Sequence, residues 1–163
     1  MTLDDWNALD RDAFVAAVGW VFEHSPWVAE RAWNSRPFPT IDALHRAMVD
    51  QVEAASPAEQ WALLRAHPDL GARARISEAS TAEQTGAGLD SLTPDEFARF
   101  ERLNGEYRAK FGFPFLLAVK GGTKHEVQRT LSERLESAVD VEYKEALRQV
   151  YRIARFRLED NLI

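Results

Sequence analysis

The chain has 163 residues, 45% of them hydrophobic, with nine phenylalanines, five tryptophans, no cysteine and a formal charge of −6. A chain of this length buries about 70% of the surface its unfolded form exposes, so it can hold an ordinary core without staples. The missing cysteines exclude disulfides, thiolate metal sites and thiol nucleophiles, and the negative charge opposes nucleic acid and anionic membranes while still allowing an anionic substrate beside a buried arginine.

The first ten residues hold three acids and no apolar run, so no secretory leader is expected. No stretch approaches the ~18 apolar residues of a membrane span. The chain ends Asn161-Leu162-Ile163, which is not a peroxisomal address. Cytoplasm is the expected compartment. Asp10 can then cap a segment whose Phe14, Val18, Val21 and Phe22 repeat at helical spacing. Ser25-Pro26 stops it and restarts the chain, with serine as cap and proline at the first helical position, for a short helix carrying Trp27 and Trp33. Arg36-Pro37-Phe38-Pro39 must be irregular, because each proline bars helix for the residue before it. Thr40 caps the next helix, with Ile41, Leu44, Met48, Val49 and Val52 on one face. Ser56-Pro57-Ala58-Glu59 is a capping box; Trp61 and Leu64 form the buried side of its helix, which ends near His67 because Pro68 follows.

Residues 69–92 are the least regular stretch, with Gly71, Gly86 and Gly88. Thr93-Pro94-Asp95-Glu96 opens a long helix lined by Phe97, Phe100, Leu103, Asn104 and Tyr107. Phe111 to Val119 cannot be a surface helix and reads as buried, extended chain. Gly121-Gly122 is a turn, Thr123 starts a helix bearing Val127, Leu131 and Leu135, and Asp140 caps the last, which buries Leu147, Val150, Ala154 and Leu158. No repeat, low-complexity tract or linker interrupts the chain. The expectation is an all-α, single-domain bundle over residues 1–163, with about eight to nine helices and one short extended buried segment.

Polar residues in two irregular settings are candidates for chemistry: Ala66-His67-Pro68-Asp69-Leu70-Gly71, and Ser80-Thr81-Ala82-Glu83-Gln84. Each has a structural alternative. His67 can bond the last carbonyls of its helix, and Ser80 with Glu83 spells a capping box, which the local pattern favours. Arg157 lies on the flank of the stripe Val150, Ile153 and Ala154, while Arg152 and Arg155 point elsewhere. It either snorkels its stem along the core or projects its fork into a pocket, and spacing alone favours snorkelling. The four histidines, His24, His45, His67 and His125, are scattered, with no i, i+4 pair and no H-E-x-x-H, so no metal site is expected. There is no nucleophile elbow, P-loop or dinucleotide fingerprint.

Taken in order, six motifs resemble one family. They are Phe22-Glu23-His24-Ser25-Pro26-Trp27, Arg36-Pro37-Phe38, His67-Pro68-Asp69-Leu70-Gly71, Ser80-x-x-Glu83-Gln84, Ala87-Gly88-Leu89, and Leu103-Asn104-x-x-Tyr107 leading to Lys110-Phe111-Gly112-Phe113-Pro114-Phe115. The family is OHCU decarboxylase, which acts on 2-oxo-4-hydroxy-4-carboxy-5-ureidoimidazoline on the route from urate to (S)-allantoin. The resemblance runs from about Phe14 to Leu158. It implies an all-α, cofactor-free homodimer. His67 and Glu83 would be catalytic. Pro68 through its carbonyl, Ser80, Gln84, the main chain of Phe115, Leu116, Leu117, Ala118 and Val119, and Arg157 would bind substrate. The residue types suit the chemistry: histidine titrates near neutral pH and moves protons, and arginine pairs bidentately with a carboxylate or carbonyl. Two rival readings remain: a non-catalytic helical binding module, and a sister enzyme acting on another ureido or imidazolone acid.

Overall fold

Side-chain caps start most helices where the sequence places them. The computed structural model describes residues 1–71 and 78–163, which hold nine α-helices and no strand, so the all-α expectation holds. The first, α1 (Leu3–Ala8), was not anticipated, although Thr2 and Asp5 form its capping box. Asp10 caps α2 (Arg11–Val18), and Gly19–Val21 tightens into a 3₁₀ turn. The helix after it, α3 (Trp27–Ala32), corrects an expectation. Ser25 does not cap it, because the Ser25 hydroxyl donates to the Glu23 carbonyl at 2.9 Å. Trp33 likewise leaves α3 and opens a second 3₁₀ turn. Thr40 caps α4 (Ile41–Glu53), which buries Leu44, Met48 and Val52. Ser56 and Glu59 form the expected box on α5 (Pro57–Arg65). There Leu63 joins Leu64 in the core, whereas Trp61 is only half-buried, with the Arg65 guanidinium 4.7 Å from its ring centroid.

The stretch expected to be least regular contains a helix, α6 (Glu78–Gly86). Ala, Glu and Gln supply its helical preference, and its glycine falls only at the final position. The capping box at Thr93 holds for α7 (Pro94–Phe111), which buries Phe100, Leu103, Asn104, Tyr107 and Phe111. Thr123 caps α8 (Lys124–Arg134). The last helix, α9 (Val139–Asn161), begins before Asp140, so Asp140 sits in its first turn and is not the cap. An acid there still faces the positive end of the helix dipole.

The contacts group into two compact units, 1–66 with 151–163, and 67–150; α9 contributes to both. In the first unit α3 packs on α2 and α4, around Phe14, Val18, Val28, Leu44, Met48 and Leu158. In the second, α7 packs on α8, and Tyr107 gathers Phe111, Phe113 and Phe115 at ring centroid distances of 4.5, 5.9 and 5.4 Å.

Candidate active site

Most of the expected site residues belong to the second unit. α5 ends at Arg65 and Pro68 forbids its continuation, so His67 lies on non-helical backbone, yet is only 6% exposed. Three side chains hold the loop that follows. Arg108 donates to the Asp69 carboxylate at 2.9 Å, Asn104 to the Leu70 carbonyl at 2.8 Å, and the Gly71 amide donates to Gln84 Oε1 at 3.0 Å. Gly71 is required there. Its φ of +75° is left-handed, and a Cβ would come within 3.1 Å of Leu92 and 3.3 Å of Phe100.

The Ser80 to Gln84 segment is helical, which corrects its irregular setting and its capping box. Ser80 lies inside α6 and cannot be its N-cap. What the helix does is sort the side chains. Ser80 and Gln84, four apart, are buried, Glu83 is half-buried beside them, and Thr81, Ala82 and Thr85 face out. With Gln84 Oε1 accepting from Gly71, its amide NH₂ is the group it can offer a ligand.

The Phe111–Val119 stretch is only in part the buried, extended segment expected, since Phe111 still belongs to α7. Gly112, at φ +80°, ends the helix, and the chain runs without regular structure through buried Phe113, Phe115, Leu116 and Val119. Leu117 and Ala118 are half-exposed. The Ala118 amide donates to Gln149 Oε1 at 2.9 Å, and Arg134 donates to the Leu116 carbonyl. Arg134 also donates through Nε to Glu142 Oε1 at 2.6 Å, and Tyr107 donates its hydroxyl to the same oxygen at 2.5 Å. Burial drives the Tyr107 hydroxyl well above its ordinary value of 10, and the Glu142 hydrogen bond adds to this, so the phenol remains a donor at any working pH.

Arg157 belongs to the first unit and does not snorkel. It is 3% exposed, and it forms an ion pair at 2.9 Å with Glu23, itself 2% exposed; its NH1 also donates to the Val21 carbonyl at 3.3 Å. Arg155 pairs instead with Asp42 and Glu159, and Arg152 is exposed. Among the described residues no three His, Asp or Glu side chains converge as metal ligands would.

Sequence reasoning missed Glu23, Arg134, Glu142, Gln149 and the anchoring role of Asn104. Glu23 and Asn104 stood inside quoted motifs, but Arg134 and Glu142 looked like two more charges on helices rich in them. Nothing in their spacing marks them as buried.

Fold and site together define an all-α protein in which a buried histidine at a helix end is tied to a helix presenting Ser80, Glu83 and Gln84. A model of the OHCU decarboxylase family matches residues 7–159. The 2-oxo-4-hydroxy-4-carboxy-5-ureidoimidazoline decarboxylase of Haloferax volcanii is 48% identical over 160 residues, covering 98% of this chain and 95% of its own length. A crystal structure of (S)-allantoin synthase superposes with a TM-score of 0.79 at 34% identity, over 99% of this chain and 54% of that one. An OHCU decarboxylase crystallised in the presence of (S)-allantoin shares the fold, with a TM-score of 0.71 at 21% identity, over 93% of this chain and 97% of that one. The chain belongs to the OHCU decarboxylase family.

Proposed function

We propose that this chain decarboxylates 2-oxo-4-hydroxy-4-carboxy-5-ureidoimidazoline to (S)-allantoin and CO₂ in urate breakdown. The observation that carries the reading is His67: a titratable side chain buried at a helix end, on a loop that Gln84 of α6 ties down. Breaking the bond to the carboxylate leaves an electron pair on carbon, which the substrate's own ring accepts. The protein has to bind, exclude water and return one proton to one face.

His67 transfers that proton, a role worth about 10²–10⁴ in rate. Glu83, at the margin of the buried face of α6, orients the hydroxyl or ureido group. Ser80, the Gln84 amide, the Pro68 carbonyl and the main chain from Phe115 to Val119 hold the substrate. Arg157, oriented by Glu23, pairs with its carboxylate or ring carbonyl. No cofactor is required, since the ring is the electron sink. The chain works as one domain and as a homodimer in the cytoplasm. No described helix is long and apolar enough to cross a membrane, and the net charge of −6 disfavours nucleic acid.

The test adds the protein to urate with the two upstream enzymes and follows circular dichroism. Fast appearance of optically active allantoin, unaffected by EDTA, is expected. An unchanged, spontaneous and racemic rate would leave a binding module or a sister enzyme.

A further inference from the structure

Arg134 and Glu142 are buried charges outside the set assigned to substrate. They are 8% and 1% exposed, on α8 and α9. One Glu142 oxygen collects both Arg134 Nε at 2.6 Å and the Tyr107 hydroxyl at 2.5 Å. The Arg134 fork reaches on to the Leu116 carbonyl, and its guanidinium carbon sits 4.6 Å from the Phe115 ring centroid. Removing two charges from water is costly, and an apolar pair of similar volume often stabilises a core as well or better. An apolar pair cannot hold a peptide carbonyl in a chosen direction.

That direction matters at Phe115–Val119, because no helix or strand fixes its backbone. Side chains do so instead. Arg134 takes the Leu116 carbonyl and Gln149 takes the Ala118 amide. In a planar trans peptide the carbonyl of one residue and the N–H of the next point oppositely. Tying Leu116 O therefore turns the Leu117 N–H away from Arg134, and tying the Ala118 N–H turns the Leu117 carbonyl away from Gln149. Both groups belong to Leu117, a donor and an acceptor that the two tethers leave out. That pair matches one edge of a cyclic urea.

We propose that Arg134, aligned by Glu142 and Tyr107, is the positioning residue that sets the Phe115–Val119 main chain as a binding wall for the ureido or imidazolone edge of the substrate. It acts through Leu116 and does not touch the substrate. The substrate part of this inference rests on the function proposed above.

The test uses Arg134→Lys and a charge-free double variant, Arg134→Met with Glu142→Leu, in the full chain. The double variant removes both charges at similar volume, so it keeps the inference open to refutation if the lysine variant fails to fold. Both are expected to raise KM by about 10- to 100-fold with kcat within about threefold, the pattern of lost uniform binding. Amide exchange at Ala118, whose N–H Gln149 holds, should rise at least tenfold in the ligand-free protein while exchange along α7 stays at its wild-type rate. Wild-type KM in the folded double variant, or a fall in kcat at unchanged KM, overturns the positioning role. Unchanged exchange at Ala118 overturns the tether itself. A wild-type chain with no decarboxylase activity overturns the function and the substrate part of the inference, while the exchange measurement still judges the tether.

Discussion

His67 sits where a helix cannot continue, so its side chain is aimed by Pro68 and by the bonds on Asp69, Leu70 and Gly71, without a helix of its own. Those bonds hold the loop through other groups, and asparagine keeps a hydrogen-bonding amide where the imidazole was. His67→Asn should therefore stay folded while lowering turnover at least ~10²-fold. Near-normal turnover in the folded variant would remove His67 from the mechanism. Arg157 differs, because it is held by a buried partner. Lysine keeps the charge that compensates Glu23 but loses the planar fork. Arg157→Lys should lower kcat/KM about 10- to 100-fold, as charge-assisted bonds worth about 1.5–3 kcal/mol are lost. Glu23→Gln strands a buried guanidinium and should cost about 3–5 kcal/mol in denaturant unfolding. Arg152→Lys, on the exposed side of α9, should change neither. Equal behaviour of all three variants would show that neither the pair nor the fork matters.

At the scale of elements, α7 offers two glycines with opposite demands. Gly112 ends the helix at φ +80°, which alanine adopts only with strain, so Gly112→Ala should cost about 1–2 kcal/mol. Gly105 lies inside the helix, exposed, with nothing within 4 Å of an added Cβ. Gly105→Ala should stabilise by about 0.5–1 kcal/mol, by lowering the entropy of the unfolded chain. Urea melts decide it, and shifts of the same sign would refute the assignment. Another element-scale contact joins α4 to α9, where His45 Nε2 lies 2.8 Å from the Tyr151 carbonyl. Burial lowers the His45 pKa below its ordinary 6.5 and Arg155 adds to this, against the Tyr151 carbonyl, Asp42 and Glu159, which raise it. The unfolded chain thus takes up this proton first as pH falls. The contribution is complete above pH 6.5 and is lost as pH drops from there through the lower folded value. Tm measured from pH 7.5 to 5.5 should fall more steeply for wild type than for His45→Gln, and parallel curves would exclude His45 as the cause.

For the whole molecule, the distribution of tryptophan gives a direct test of the one-domain proposal. Trp6, Trp20, Trp27, Trp33 and Trp61 all lie in the unit formed by 1–66 and 151–163, and none lies in 67–150. Tryptophan fluorescence therefore reports one unit, whereas far-ultraviolet circular dichroism reports helices of both. Because α9 is one continuous helix contributing to both units, the two signals should melt at the same urea concentration. Separate midpoints would mean two domains.

The helical class, most of the helix starts and the order of the motifs were legible before any tertiary contact was known. They depend on local chemistry: Asp10, Thr40, Ser56, Thr93 and Thr123 each accept an amide hydrogen bond from three residues ahead. Local reasoning failed where its signals were mixed, as in α6, where serine, threonine and glycine obscured a helix that sorts Ser80 and Gln84 inward. It also failed where a residue's meaning depends on a partner far along the chain. Spacing leaves Arg157 open between a snorkelling stem and a pocket fork, and its buried pair with Glu23 decides against the stem; nothing in the spacing of Arg134 and Glu142 marks their burial with Tyr107. Whether a charge is solvated or enclosed is decided by what packs over it, and only the tertiary structure brings those elements together.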